Sequence, residues 1–162
     1  MVIALQRVQE SEKEILRNFY ALYLHDLSKF TTNITIGANG FFEYEDLHLF
    51  WKSDGITPYF IRVDHSIVGF LLLLERPFLK KENDFGINDI FILNQYKGKG
   101  IGKKVIESLL EERRGKYFVI ELIKNVPAVM FWKKVYRELN IEFDERKQII
   151  DDEACLVQTF KI

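Results

Sequence analysis

The sequence contains a single cysteine, Cys155, among 162 residues, so no internal disulfide can staple it. Cys155, His25, His48 and His65 are too widely spaced for a zinc site, and no metal is expected. Proline occurs three times, and no Gly/Ser-rich tract, repeat or low-complexity block marks a linker. Long hydrophobic runs are missing too. The longest, Ile67–Leu74, is broken only by Gly69 and falls far short of the ~20 residues that span a bilayer. Neither sign of charge is in excess: 23 Lys and Arg stand against 24 Asp and Glu, a net charge of −1. That balance lacks the broad basic face that nucleic acid or an anionic membrane surface calls for. Met1–Arg7 shows no basic segment leading into an apolar stretch, so no signal peptide is read. A reducing, cytoplasmic setting is the expectation.

What is present suits one globular domain over residues 1–162. Apolar residues make up 48%, and a chain of this length buries a continuous core without staples. Fourteen Phe point to a ring-rich core, with a ring-lined cleft as the alternative. Periodicity predicts a strand over Val2–Val8 and a helix from an N-cap at Ser11 to about Phe30. After a polar loop at residues 31–40, Tyr44, Leu47, His48 and Trp51 mark a second helix. Strands follow at Tyr59–Val63, Ser66–Glu75 and Gly86–Leu93, the first two joined by a hairpin turn at Asp64–His65. A helix over Gly100–Arg114, a strand over Lys116–Ile123 and a helix opening at Pro127 come next. Ile141–Ile150 and Ala154–Phe160 are the last strands. The order β-α-α-β-β-β-α-β-α-β-β predicts a mixed α/β (α+β) domain.

The segment that carries chemistry is Ile90–Lys104. An apolar strand runs into a turn with three glycines at 98, 100 and 102, then into an amphipathic helix. Such a turn brings consecutive backbone N–H groups close to a ligand, and the helix N-terminus adds partial positive charge. Lys97, Lys99, Lys103 and Lys104 reinforce it, with no acidic residue anywhere from 90 to 104. Phosphate is the natural ligand; a glycine turn with a solvated lysine face is the alternative. Gly98 and Gly102 enclose only three residues where the Walker loop needs four before its Gly-Lys, and Lys104 stands where Ser or Thr would hold magnesium. The dinucleotide fingerprint fails as well, because its third glycine comes one residue early.

Gln95-Tyr96-Lys97-Gly98-Lys99-Gly100 fits the Gln/Arg-x-x-Gly-x-Gly/Ala signature of the GNAT superfamily of N-acetyltransferases. Asn125-Val126-Pro127-Ala128-Val129-Met130-Phe131-Trp132-Lys133-Lys134 resembles that family's Asn-x-x-Ala-x-x-Phe-Tyr-x-Lys after the fifth strand. The element order is similar over nearly the whole chain. This resemblance implies a mostly antiparallel GNAT-like sheet flanked by helices, and acetyl-coenzyme A as co-substrate. It implies that the amides of Lys97, Gly98, Lys99, Gly100, Ile101, Gly102 and Lys103 hold the pyrophosphate. Backbone groups of Phe91, Ile92 and Leu93 would pair with the pantetheine arm as an added strand would, between splayed fourth and fifth strands. Asn125 would touch the cofactor by its side chain, and Phe131 would line its thiol end or serve as a core residue.

The implied reaction moves an acetyl group to a primary amine of a small molecule or peptide, in a ternary complex. An alkyl ammonium, with a pKa of about 10, must lose a proton before it attacks. Asp89 on the fourth strand is the candidate base, with Asp84 and Glu82 further back, and a strand-edge carboxylate is its structural alternative. A backbone N–H near Phe91 or Ile92 would stabilise the oxyanion. Trp132 stands where the family has an acid tyrosine, and an indole N–H is not an acid; Tyr136, one turn on, is the candidate replacement. A thiolate, from a thiol of pKa about 8.5, leaves tolerably without help. Tyr20, Tyr23, His25, Asp26, Tyr44, His48 and Trp51 are candidates for the acceptor pocket, each equally able to serve as helix packing. Trp132 also motivates a second reading, a non-catalytic acyl-coenzyme A module; a protein-interaction domain is a third. Dimers through the last strands occur in the superfamily, so a homodimer is among the expectations.

Overall fold

In a computed structural model, which describes residues 1–162, seven strands form one sheet in the order β1-β2-β3-β4-β5-β7-β6. The strands are β1 (Ile3–Arg7), β2 (Ile56–Val63), β3 (Ser66–Glu75), β4 (Phe85–Ile92), β5 (Lys116–Leu122), β6 (Phe143–Ile150) and β7 (Glu153–Lys161). The helices are α1 (Lys13–Leu27), α2 (Ile101–Glu112) and α3 (Val126–Glu138). Every strand pair is antiparallel except β4–β5, whose parallel pairing needs the crossover that α2 supplies.

The near-continuous apolar run of β3 is explained by burial on both faces. Phe70, Leu72 and Leu74 face a cluster with Leu16 and Tyr20 of α1, Phe60 and Phe91. Val68, Leu71 and Leu73 face the other cluster, with Ile101, Val105, Ile106 and Leu109 of α2 and Trp132, Val135 and Tyr136 of α3. The Phe content resolves toward core: Phe60, Phe70, Phe91 and Phe160 are all buried.

Two expected helical features differ. The Gln9 N–H donates to Glu12 Oε1 at 3.0 Å, so the cap falls on Gln9 and Glu10–Glu12 form a 3-10 turn before α1; Ser11 lies inside that turn. The second expected helix is a 3-10 turn, Leu47–Trp51. It buries Leu47 and Phe50, while the Trp51 indole donates to Val8 C=O at 3.0 Å. The Asp64–His65 hairpin is as expected, with Asp64 at φ 54° taking the place of glycine. No helix is long and apolar enough to cross a membrane.

The feature that positions the site is a bulge in β4. Leu73 pairs with Ile87 and Leu72 with Asp89, leaving Asn88 unpaired. Ile87 therefore faces α2 and α3, while Asp89, only two residues on, lies on the α1 side with Phe91.

Candidate functional site

β4 and β5 pair only through Phe85–Tyr117, Gly86–Phe118 and Ile87–Val119. Beyond Ile87 the two strands part, and the β5-side edge of β4 is left without a strand. The Leu93 N–H donates to Val68 C=O at 2.8 Å, and its C=O accepts from Tyr96 N–H at 2.9 Å. Antiparallel alternation then turns the Phe91 groups toward β3 and the N–H and C=O of Ile90 and Ile92 into the gap. The expected trio is revised accordingly. Ile92 keeps its free backbone groups, Ile90 joins it, and Phe91 and Leu93 are already committed to the fold.

The glycine turn stands at the mouth of this gap. Gly98 and Gly100 adopt φ 75° and 77°, left-handed values that other residues reach only at a cost. A Cβ at either would meet nothing within 4 Å, so the space above the turn is open. Gly100 is the N-cap of α2 and no side chain caps the helix. Of the expected amides, that of Lys97 is already given to Asn94 C=O at 3.2 Å; from Gly98 through Lys103 no backbone N–H finds an acceptor in the chain, and the first that does is Lys104, to Gly100 C=O at 3.1 Å. Six consecutive free amides at a helix N-terminus fit a pyrophosphate. The lysines divide. Lys97 Nζ lies 3.9 Å from Asp26 and Lys103 Nζ 3.4 Å from Glu138, while Lys99 lies over the Tyr96 ring. Gly102 is buried, and a Cβ there would lie 2.7 Å from Phe131 Cε1 and 3.3 Å from Ile92 Cδ1. Phe131 of α3 thus closes on α2 and on β4 beside the gap. Asn125 caps α3, its Oδ1 accepting from Ala128 N–H at 3.3 Å.

On the α1 side, Asp89 is only 9% exposed. Its Oδ2 accepts from Tyr20 Oη at 2.8 Å and Asn88 Nδ2 at 3.2 Å, and its Oδ1 from Tyr23 Oη at 2.9 Å. Burial raises the Asp89 pKa, partly offset by those three hydrogen bonds. Burial and the neighbouring carboxylate raise both phenols. Tyr44, pushed up to about 12 mainly by burial, packs on Tyr20. Of the expected acceptor residues, Tyr20, Tyr23 and Tyr44 are therefore gathered around Asp89. Asp26 goes to Lys97, His25 lies against Phe42, and His48 bonds its own turn through Glu45 C=O. Thr31 Oγ1 donates to Glu153 Oε1 at 2.6 Å and Asn33 Nδ2 to Asp151 C=O at 2.9 Å, tying the connection after α1 to the β6–β7 turn. Removing one donor leaves a buried oxygen short of a partner, so Tyr20→Phe should destabilise the fold by about 1–3 kcal/mol in urea unfolding.

Tyr136 is not at the gap. It is buried among Trp132, Phe143 and Phe160, and its Oη donates to Gln158 Oε1 at 2.9 Å. Gln158 Nε2 donates in turn to Glu145 Oε1 at 2.9 Å, and Glu145 lies 3.6 Å from Lys133 Nζ. Burial, then Glu121 and Glu145, raise the Tyr136 pKa far above the ordinary phenol value. The expectation that it serves as an acid gives way: its proton is held by Gln158 inside the core.

Sequence reasoning missed Glu121. It is 5% exposed, and both carboxyl oxygens are buried without a hydrogen-bond partner. Burial, with Glu145 adding to it against Lys133, pushes its pKa up to about 8. The alternation of β5 carried the signal: after the inward-facing Tyr117 and Val119, the next inward position is Glu121.

The sequence model of the acetyltransferase (GNAT) family matches residues 17–136. No curated protein matches the sequence. Among solved structures, an acetyltransferase from Thermus thermophilus is similar at TM-score 0.73 and 12% identity, covering 100% of this chain and 98% of that one. An aminoglycoside acetyltransferase in complex with coenzyme A reaches TM-score 0.69 at 14% identity, over 99% of this chain and 94% of that one. A spermidine/spermine N-acetyltransferase from Vibrio cholerae reaches 0.60 at 15%, over 99% and 94%.

Proposed function

Because this chain belongs to the acetyltransferase (GNAT) family, we propose that residues 1–162 act as one domain that transfers an acetyl group from acetyl-coenzyme A to a primary amine. The observation that carries the reading is the pairing of six free amides at 98–103 with a gap that opens beyond Ile87 and Val119. The amides of Gly98–Lys103 bind the pyrophosphate, assisted by the Lys97 and Lys99 ammonium groups. The groups of Ile90 and Ile92 orient the pantetheine arm as an added strand would, with Asn125 and Phe131 along its course. When bound, the co-substrate supplies the activated acetyl group.

Asp89 takes the proton of the acceptor ammonium. A carboxylate has about four lone-pair sites, and the two tyrosines and Asn88 use three. Its raised pKa makes it a stronger base than an exposed aspartate. The acceptor enters from the α1 side, between the Tyr20–Tyr23–Tyr44 cluster and the connection after α1. The solved relatives named for aminoglycosides and for spermidine place polycationic amines among the acceptors to test, beside a peptide N-terminus and a lysine side chain. Release of free thiol from acetyl-coenzyme A, followed with a thiol reagent across spermidine, kanamycin, and peptides with a free N-terminus or lysine, should be amine-dependent and saturable. Binding without thiol release for any amine would favour a non-catalytic module instead.

A further inference from the structure

The Lys97 side chain joins the glycine turn to α1. Its backbone stands one residue before Gly98, where the free amides begin. Its ammonium points elsewhere: Nζ lies 3.9 Å from Asp26 Oδ2 and 6.0 Å from the centre of the Phe91 ring. Phe91 packs edge-on against Tyr23, with ring centres 6.1 Å apart, and the Tyr23 hydroxyl bonds Asp89. Asp26 follows Tyr23 on α1 at i+3, so the two share a face of the helix. Lys97 and Asp26 therefore form a bridge from the turn to the end of α1, over the ring beside the base, where the acceptor enters. Asp26 is the next-to-last residue of α1, and the partial negative charge of a helix C-terminus disfavours a carboxylate there unless a cation accompanies it. Lys97 is that cation, but the pair is weak. Its side chains are 53% and 47% exposed, and ion pairs of that kind contribute little. A pyrophosphate on the neighbouring amides carries more negative charge than one carboxylate and competes for the same ammonium.

We propose that Lys97 exchanges Asp26 for the coenzyme A pyrophosphate, and that the carboxylate so released holds a second ammonium of the acceptor; this rests on the acetyl-transfer reading. The acceptor class is then an amine with at least two cationic nitrogens. The reacting nitrogen goes to Asp89, and another takes the place of Lys97 at Asp26. Asp26 is a specificity-determining residue, and binding of the co-substrate prepares it. The coupling is mutual by linkage. A diamine on Asp26 leaves Lys97 with the phosphate alone, so each ligand tightens the other.

The test is calorimetry with coenzyme A, which has no acetyl group to transfer, and with putrescine and butylamine, which differ by one ammonium. Asp26→Asn should bind coenzyme A about two- to threefold tighter than the wild type, because no carboxylate competes for Lys97. Putrescine should bind the coenzyme A-saturated wild type about fivefold tighter than the free protein, and butylamine should bind both alike. Asp26→Asn should lose the putrescine gain. Lys97→Met should bind putrescine alike with and without coenzyme A, because its Asp26 is free in both states. A wild type that binds coenzyme A while Asp26→Asn binds it no tighter overturns this inference alone. So does a putrescine gain that is absent from the wild type, or one that Asp26→Asn retains, as general attraction between coenzyme A and a dication would produce. A wild type that binds no coenzyme A, or releases no thiol from acetyl-coenzyme A with any amine, overturns the functional reading and this inference with it.

Discussion

Gly100→Asp should weaken acetyl-coenzyme A binding by about 100-fold or more while leaving the protein folded. Gly100 holds φ 77° at the head of α2, and aspartate is among the few residues that tolerate this region. Its carboxylate would stand among the free amides of residues 101–103, where a helix N-terminus favours negative charge. The side chain thus caps the helix and occupies the anion site at once, adding like-charge repulsion toward any phosphate. A loss of that size equals one or two charge-assisted hydrogen bonds at about 1.5–3 kcal/mol each. Gly100→Ala is the control. Its Cβ meets nothing within 4 Å, so it carries only the conformational cost of about 1–2 kcal/mol and should bind far better than the aspartate variant. Calorimetry of the two variants at equal thermal stability separates charge from strain.

Folding stability should fall as pH rises from about 4.5 to about 8, and Glu121→Gln should remove much of that slope. The Glu121 carboxyl ordinarily titrates at 4.5, and in the folded chain burial moves it to about 8. Between those values the folded state holds a proton that the unfolded chain has released. Proton linkage then lowers the unfolding free energy with each step up in pH, until the folded carboxyl ionises and the full cost of a buried charge is present. The Asp89 pKa is also raised, so a fall of the same sign persists in Glu121→Gln. Urea unfolding at intervals across this range checks it. A wild-type stability that is flat or rises through pH 8 would mean that Glu121 is solvated.

How much of this was legible in the sequence depends on whether a feature is local. The glycine turn and the α2 helix after it follow from residues 98–112 read in order, and the proline start of α3 is equally local; the cap that Asn125 supplies to α3 came only with the structure. The positions of Asp89 and Glu121 do not. Strict alternation puts Asp89 on the face of Ile87; the bulge at Asn88 reverses it, and the bulge is set by pairing with Leu72 and Leu73, which no local pattern encodes. The commitment of Leu93 to Val68 and Tyr96 is equally a matter of register, and it shifts the free backbone edge to Ile90 and Ile92. Tyr136 looked available because it follows Trp132 by one turn. That spacing is right for the helix, but Gln158 and Glu145, brought in by β7 and β6, hold its hydroxyl in the core. Glu121 was readable as an inward-facing charge in an apolar strand, though its lack of any partner depends on α3 and β6 packing over it.

The central claim is that the turn at 98–103 and the gap between β4 and β5 form a coenzyme A site. Isothermal titration of the intact chain with acetyl-coenzyme A tests it most directly. The structure predicts saturable one-to-one binding that inorganic pyrophosphate weakens and that Gly100→Asp weakens by about 100-fold or more. Absence of binding at millimolar acetyl-coenzyme A, or binding that Gly100→Asp leaves unchanged, would contradict it.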